Sequence, residues 1–265
     1  MQYNPEFVTR RPILADEDRN ALSILAQAYS LERFQADVRN FEEMTVDFVY
    51  TSAKIEGNTY DRLDTDNLLR MGITAGGKRY SDAAMIVNLR NGFERVITIS
   101  PDTPLDFDYL CDMHKILMKD LLPAHQQGCG RQDAVRIGAT IYTPLDDPKR
   151  LRTEVKLILE EAEKYTDVFE KAIYLHCNLA YLQYFNDGNK RTARMMQTAA
   201  MVKGGVLPLF FSDTLIDRYT RATVGYYETG DYAPYAAFFK ENYRLVATYL
   251  LGRDPLASDG AADRG

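Results

Sequence analysis

Nine stretches of the chain carry apolar residues at three- and four-residue spacing, the repeat of one helix face: 17–35, 38–56, 81–98, 106–119, 150–164, 169–182, 190–203, 213–228 and 232–250. Nothing constrains the fold more. Such stripes bury themselves helix against helix, so an all-α architecture is expected. Pro101, Pro104, Pro123, Pro144, Pro148, Pro208 and Pro234 fall between these stretches or at their starts. There a residue without an N–H does least harm. One run departs from the pattern. Val135, Ile137, Ala139 and Ile141 alternate with Arg136, Gly138, Thr140 and Tyr142. A period of two around a glycine predicts one small β-hairpin, with an irregular loop as the alternative.

Composition narrows the function classes. The hydrophobic fraction of 46% in 265 residues permits a sizeable core. A net charge of −6 argues against nucleic acid as the main partner. No apolar run approaches a membrane span, and Met1-Gln2-Tyr3-Asn4-Pro5-Glu6 lacks the charged-then-apolar pattern of a signal peptide. Cys111, Cys129 and Cys177 are odd in number and lack metal-ligand spacing. They read as reduced thiols, and a cytoplasmic location is expected. Residues 252–265, mostly Gly, Asp, Ala and Ser, read as a flexible tail.

The chemistry concentrates in Phe185-Asn186-Asp187-Gly188-Asn189-Lys190-Arg191-Thr192-Ala193-Arg194. The run reads as a turn feeding the first turn of a helix. Lys190, Arg191 and Arg194 stand where a helix dipole is already positive, which is unfavourable unless an anion binds there. The free amides of a helix start after Gly188 suit such an anion. Asp187 could hold a divalent cation against it. A polyphosphate with Mg²⁺ satisfies all of these groups.

Extended upstream by Leu182-Gln183-Tyr184, this run resembles the signature of the Fic (filamentation induced by cAMP) family, His-Pro-Phe-x-Asp/Glu-Gly-Asn-Gly/Lys-Arg-x-x-Arg. The likeness extends to His176 in the preceding helix, to His114 further upstream, and to Gly130-Arg131 followed by Val135-Arg136-Ile137-Gly138, which resembles the family's flap hairpin. It implies a Fic-type helical core over 61–251 and transfer of AMP from ATP to a Ser, Thr or Tyr hydroxyl of a target protein. By the same resemblance, Asp187 would ligate Mg²⁺, and Gly188 and Asn189 would line an anion hole. Arg191 and Arg194 would hold the outer phosphates, with Lys190 facing the same anion on the charge argument above, and Tyr219 would lie near the adenine. The 135–143 hairpin would dock the target by strand addition.

Two positions depart from the signature. Gln183 stands where the family has its histidine, the base that takes the proton from the attacking hydroxyl. An amide can only orient that hydroxyl, and losing a general base costs about 10²–10⁴ in rate. His176 lies seven residues upstream, ~10 Å along a helix, too far to replace it. Lys190 stands where many relatives have glycine. A similar Asn-Lys-Arg in the Doc-like branch accompanies transfer of phosphate rather than AMP.

A second motif lies at 51–58. Phe41, Thr45, Phe48, Val49, Ser52 and Glu56 share one helix face, and Gly57 is a natural terminator. Glu56 is therefore a negative charge at the negative end of a dipole, unfavourable unless a cation faces it. Ser52 and Glu56 resemble the family's inhibitory motif, Ser/Thr-x-x-x-Glu-Gly/Asn, whose glutamate pairs with the second motif arginine, here Arg194. Residues 1–60 then form an N-terminal segment ending in an inhibitory helix. Three readings remain open: an autoinhibited adenylyltransferase impaired by Gln183, a nucleotide-binding protein that has lost catalysis, and a protein transferring another phosphate-containing group.

Overall fold

A computed structural model describes residues 1–138 and 140–257. Among them run eleven α-helices: α1 (Asp16–Ala28), α2 (Leu31–Ala36), α3 (Val38–Ile55), α4 (Arg62–Met71), α5 (Tyr80–Ile97), α6 (Phe107–Met118), α7 (Pro148–Glu163), α8 (Val168–Leu182), α9 (Asn189–Lys203), α10 (Ile216–Thr229) and α11 (Ala233–Leu251). Short polar side chains start many of them. Ser30, Asp37, Asp61, Asp106, Asp147 and Asp167 each accept a hydrogen bond from an amide of the first turn.

The antiparallel pair α8 and α9 forms the centre. Every α8 side chain from Ala172 to Leu182 is buried, as expected of a helix apolar all round. On α9 every residue from Arg191 to Val202 is buried, the polar ones included. Thr192 and Thr198 donate to the carbonyls of Gly188 and Arg194, at 2.9 and 2.8 Å, and Gln197 accepts from the Tyr235 hydroxyl at 2.8 Å. Around this pair pack α5 and α6 on the α9 side and α7, α10 and α11 against α8, while α3 lies across α5 and α10.

The first fourteen residues are stitched to this body. Glu170 on α8 accepts from the amides of Ile13 and Leu14 at 2.9 Å, and Val8 is fully buried. At the other end, Arg244 pairs with Asp254 and Leu256 packs against the core. Residues 258–265 of the expected tail lie outside the described residues. No described helix is long and apolar enough to cross a membrane.

The fold corrects the sequence reading at three places. The stretch 17–35 is two helices, broken at Tyr29, because the Ser30 hydroxyl caps the amide of Arg33 at 3.1 Å and starts α2 afresh. Helix α4 was not anticipated. The expected hairpin is absent: no strand occurs among the described residues, and the one β-type contact there is an isolated parallel bridge between Gln2 and Thr143. The backbone groups a hairpin needs are spent elsewhere. The amide of Ile141 donates to Glu228 at 3.2 Å, and that of Thr143 to the Met1 carbonyl at 2.7 Å. Ala139, counted in the alternation, lies outside the described residues.

Candidate functional site

Helix α8 ends at Gln183, whose φ of +53° turns the chain out of the helix. Its side chain folds back. Nε2 donates to the Ala180 carbonyl at 2.6 Å, and Oε1 accepts from Asn189 at 3.2 Å. Asn189 also closes the loop on itself, accepting from the Phe185 amide and donating to the Phe185 carbonyl, both at 2.8 Å. Gly188, at φ +73°, then admits the chain to α9. A Cβ there would stand 2.5 Å from Met118 Sδ, so only glycine fits. No side chain caps the N-terminus of α9.

The positive charges converge at this helix start. Arg191 donates to the Asp187 carboxylate at 3.1 Å, while its Nε and other terminal nitrogen are buried without a partner. Asp187, with its side chain 62% exposed, also accepts from the Gly188 amide at 2.6 Å. Arg194 is 1% exposed. It donates to the Tyr219 hydroxyl at 3.1 Å, to the Ser52 carbonyl at 3.2 Å and to Glu56 at 2.9 Å, leaving its Nε unpartnered.

Glu56 caps the C-terminus of α3, and Gly57 follows at φ +80°. Its second oxygen faces Lys190 at 3.8 Å. Burial alone would push the Glu56 carboxyl up. Arg194, then Lys190 and Arg191, outweigh it and hold the group below the ordinary carboxylate range. The misfit of each charge with its own helix dipole is thereby relieved: the acid at the end of α3 faces the cations at the start of α9. Ser52 takes part through its carbonyl, and its buried hydroxyl has no partner.

Two placements differ from the sequence expectation. Tyr219 is 1% exposed and stands behind Arg194, so its ring offers no open face to a purine. Lys190, expected to face phosphate, faces Glu56. His176 is fully buried, 3.0 Å from the Tyr219 hydroxyl, and burial, then Arg194 and Lys190, push it well below its usual range.

Two further residues shape the site. The buried guanidinium of Arg131 donates to the Gln183 carbonyl at 2.7 Å, and its amide donates to the Tyr184 carbonyl at 3.0 Å. This locks the exit of α8. His114 on α6 stacks on Phe185, with ring centres 3.7 Å apart and planes within 7°, and burial pushes its pKa down to about 4. The sequence marked both residues only by their likeness to family positions.

Chemically, the cluster is a helix start with open amides, two buried guanidinium groups short of acceptors, and one accessible carboxylate. A phosphate chain answers the first two, and a divalent cation bound with it answers the third. Among the described residues no three His, Cys, Asp or Glu side chains are grouped to hold a metal by themselves. Asp187 could therefore hold one only together with oxygens of a ligand.

Residues 104–201 match the model of the Fic/DOC family. The chain is 24% identical over 231 residues to the protein adenylyltransferase fic-1 of Caenorhabditis elegans, covering 82% of this chain and 43% of that protein. The chain thus spans about half the length of the curated relatives it matches. Among solved structures, Fic-1 (residues 134–508) of C. elegans is similar at a TM-score of 0.73 and 19% identity, covering 89% of this chain and 72% of that one. A Fic family protein of Desulfovibrio desulfuricans G20 is similar at a TM-score of 0.75 and 17% identity, covering 94% and 79%. Both likenesses bear on the fold. Residues 104–201 thus carry a segment that matches the Fic/DOC family model, within a helical fold like that of solved Fic proteins and a chain distantly similar to protein adenylyltransferases.

Proposed function

We propose that the chain is a Fic-type protein adenylyltransferase that binds Mg²⁺–ATP at the start of α9, is autoinhibited by Glu56, and turns over slowly because Gln183 replaces the general base. One observation carries this reading. Buried N–H groups of Arg191 and Arg194 have no acceptor, and Glu56 stands as an anion against Arg194. Unsatisfied buried donors are costly, and phosphate oxygens would satisfy them. Asp187, accessible and next to the open amides, would hold Mg²⁺ with the phosphates, and the ion would neutralise charge developing on them.

In the reaction, a target hydroxyl attacks the α-phosphorus of ATP. An O–P bond forms, the bond to the bridging oxygen breaks, and pyrophosphate leaves. The hydroxyl proton goes to solvent, since Gln183 cannot accept it. The amides of Gly188 and Asn189 and the Arg191 guanidinium would hold charge on the phosphates. Such positioning and electrostatic stabilisation are the larger part of catalysis in this chemistry. With Glu56 on Arg194, the outermost phosphate has no place to bind.

A second reading has its own support. Both ends of the Gln183 amide are already hydrogen-bonded, so it is not free even to orient a hydroxyl. On that reading the protein binds nucleotide and has lost transfer. Lys190 keeps a third reading, transfer of another phosphate-containing group, open. ATP labelled at the α- or γ-phosphate separates them. Protein labelled from the α-position in Glu56→Gly supports AMP transfer. Label that appears, or rises by about 10²–10⁴, only when Gln183→His is added to Glu56→Gly supports a lost base. Label from the γ-position alone supports phosphate transfer, and no label in any variant sinks the enzyme reading.

A further inference from the structure

We propose that His114 is a positioning residue: it pins the Asp187–Gly188 peptide so that the Gly188 amide faces the anion site and cannot turn away. The inference rests on the nucleotide-site reading above and extends it to a residue on α6.

The hydrogen bonds fix the imidazole. The Gly128 amide donates to Nδ1 of His114 at 2.8 Å, so that nitrogen carries no proton. The ring proton of the neutral form is then on Nε2, which lies 3.0 Å from the Asp187 carbonyl oxygen and donates to it. Stacking on Phe185 sets the plane of the ring, and His114 is 0% exposed, so water offers no substitute partner.

The acceptor of that bond matters because the Asp187 carbonyl and the Gly188 amide belong to one peptide unit. In a trans peptide the C=O and N–H point in opposite directions. Holding the oxygen down on His114 therefore holds the N–H up, where it now meets the Asp187 carboxylate at 2.6 Å. Glycine at 188 gives the backbone freedom to rotate this unit. Rotated by half a turn, the peptide would present a carbonyl oxygen to the phosphates and repel them. His114 blocks that rotation, and polarisation along the hydrogen-bond chain makes the Gly188 N–H a better donor.

Three substitutions dissect the bridge. His114→Gln keeps a donor that can reach the Asp187 carbonyl, His114→Asn keeps a polar partner for Gly128 alone, and His114→Ala keeps neither. Each is made in the Glu56→Gly protein, and two quantities are read: exchange of the Gly188 amide by NMR without ligand, and uptake of Mg²⁺–ATP by calorimetry. The expected result is faster Gly188 exchange in His114→Asn and His114→Ala and near-normal exchange in His114→Gln. Nucleotide affinity should fall by about tenfold or more in the first two, as for lost supports of a metal-site ligand, and by much less in the third. Equal Gly188 exchange in all three variants overturns the proposal. So does an affinity loss that follows thermal stability alone, with His114→Gln no better than His114→Asn. If the Glu56→Gly parent takes up no nucleotide, the reading of the site falls, while the Gly188 amide still decides whether His114 holds the peptide.

Discussion

Arg194 is 1% exposed, and the one carboxylate among the described residues that meets its charge is Glu56, at 2.9 Å. Removing one partner of a buried pair strands the other, so Glu56→Gly should lower unfolding stability by on the order of 3 kcal/mol, measured by chemical denaturation. Saturating Mg²⁺–ATP should then raise the melting temperature of the variant by several degrees and barely move that of the wild type, since a ligand stabilises only the state it can enter. Equal shifts in both proteins would contradict the blocking role. The Glu56–Arg194 pair was legible in the sequence because each partner sits in a short motif and each is a charge misplaced on its own helix dipole. His114 was not legible as a bridge. Its partner Asp187 lies 73 positions away, and no local pattern announces a hydrogen bond to a backbone carbonyl. The burial of Tyr219 escaped for the same reason, being set by the packing of α10 on α8 rather than by its neighbours in sequence.

At the scale of elements, long stripes were readable and short ones were not. Helix α4 turns Leu68 and Leu69 to the core but leaves Leu63 and Met71 exposed, at 68% and 61%, so its apolar residues do not trace one clean face. Its punctuation was the better signal: Asp61 accepts from the Asp64 amide at 2.8 Å, and Gly72 ends the helix at φ +69°. Asp61→Ala should cost about 1 kcal/mol of stability by denaturant titration while leaving nucleotide affinity unchanged, because α4 packs mainly on α3 and α5 rather than on α9. A loss of affinity would show that α4 helps to aim Glu56. The missing hairpin teaches the converse. Alternation at 135–141 predicts pairing only if the backbone has a partner, and an isolated two-stranded ribbon is marginal. Here Glu228 takes both the Thr140 hydroxyl, at 2.6 Å, and the Ile141 amide. Glu228→Ala should therefore raise hydrogen exchange at Ile141 by about tenfold or more with little change in global stability. Unchanged exchange would mean that the segment is held by the N-terminal residues alone.

One hydrophobic cluster joins Val8, Leu22, Phe34 and Phe48 to Phe93, Leu175, Tyr219 and Val246, so the first sixty residues share a core with the rest and the acid response belongs to the whole molecule. His176 sits at the centre of that cluster, 0% exposed, stacked on Tyr235 with ring centres 4.5 Å apart and facing the Tyr219 hydroxyl. Its Nδ1 has no partner, and the charges that act on it are the cations Arg194 and Lys190. Burial first, and those cations next, hold its folded pKa well below the ordinary 6.5. Below pH 6.5 the unfolded chain therefore binds a proton at His176 that the folded protein refuses, and stability falls with pH by up to about 1.4 kcal/mol per unit. Above that pH both states are neutral there, and the term vanishes. Glu56 acts in a later window. Its folded pKa lies below the ordinary 4.5, so its stabilisation is present above that value and is lost only as pH falls through the depressed one. Replacing His176 by Gln removes the first term and leaves His114 and Glu56 in place, so those contributions cancel in the comparison. Unfolding free energies measured from pH 7.5 to 5 should fall less steeply for His176→Gln than for the wild type, with the two slopes converging above pH 7. Parallel curves across the whole range would mean that His176 carries a proton in the folded core, and that the cations of the anion site do not reach it.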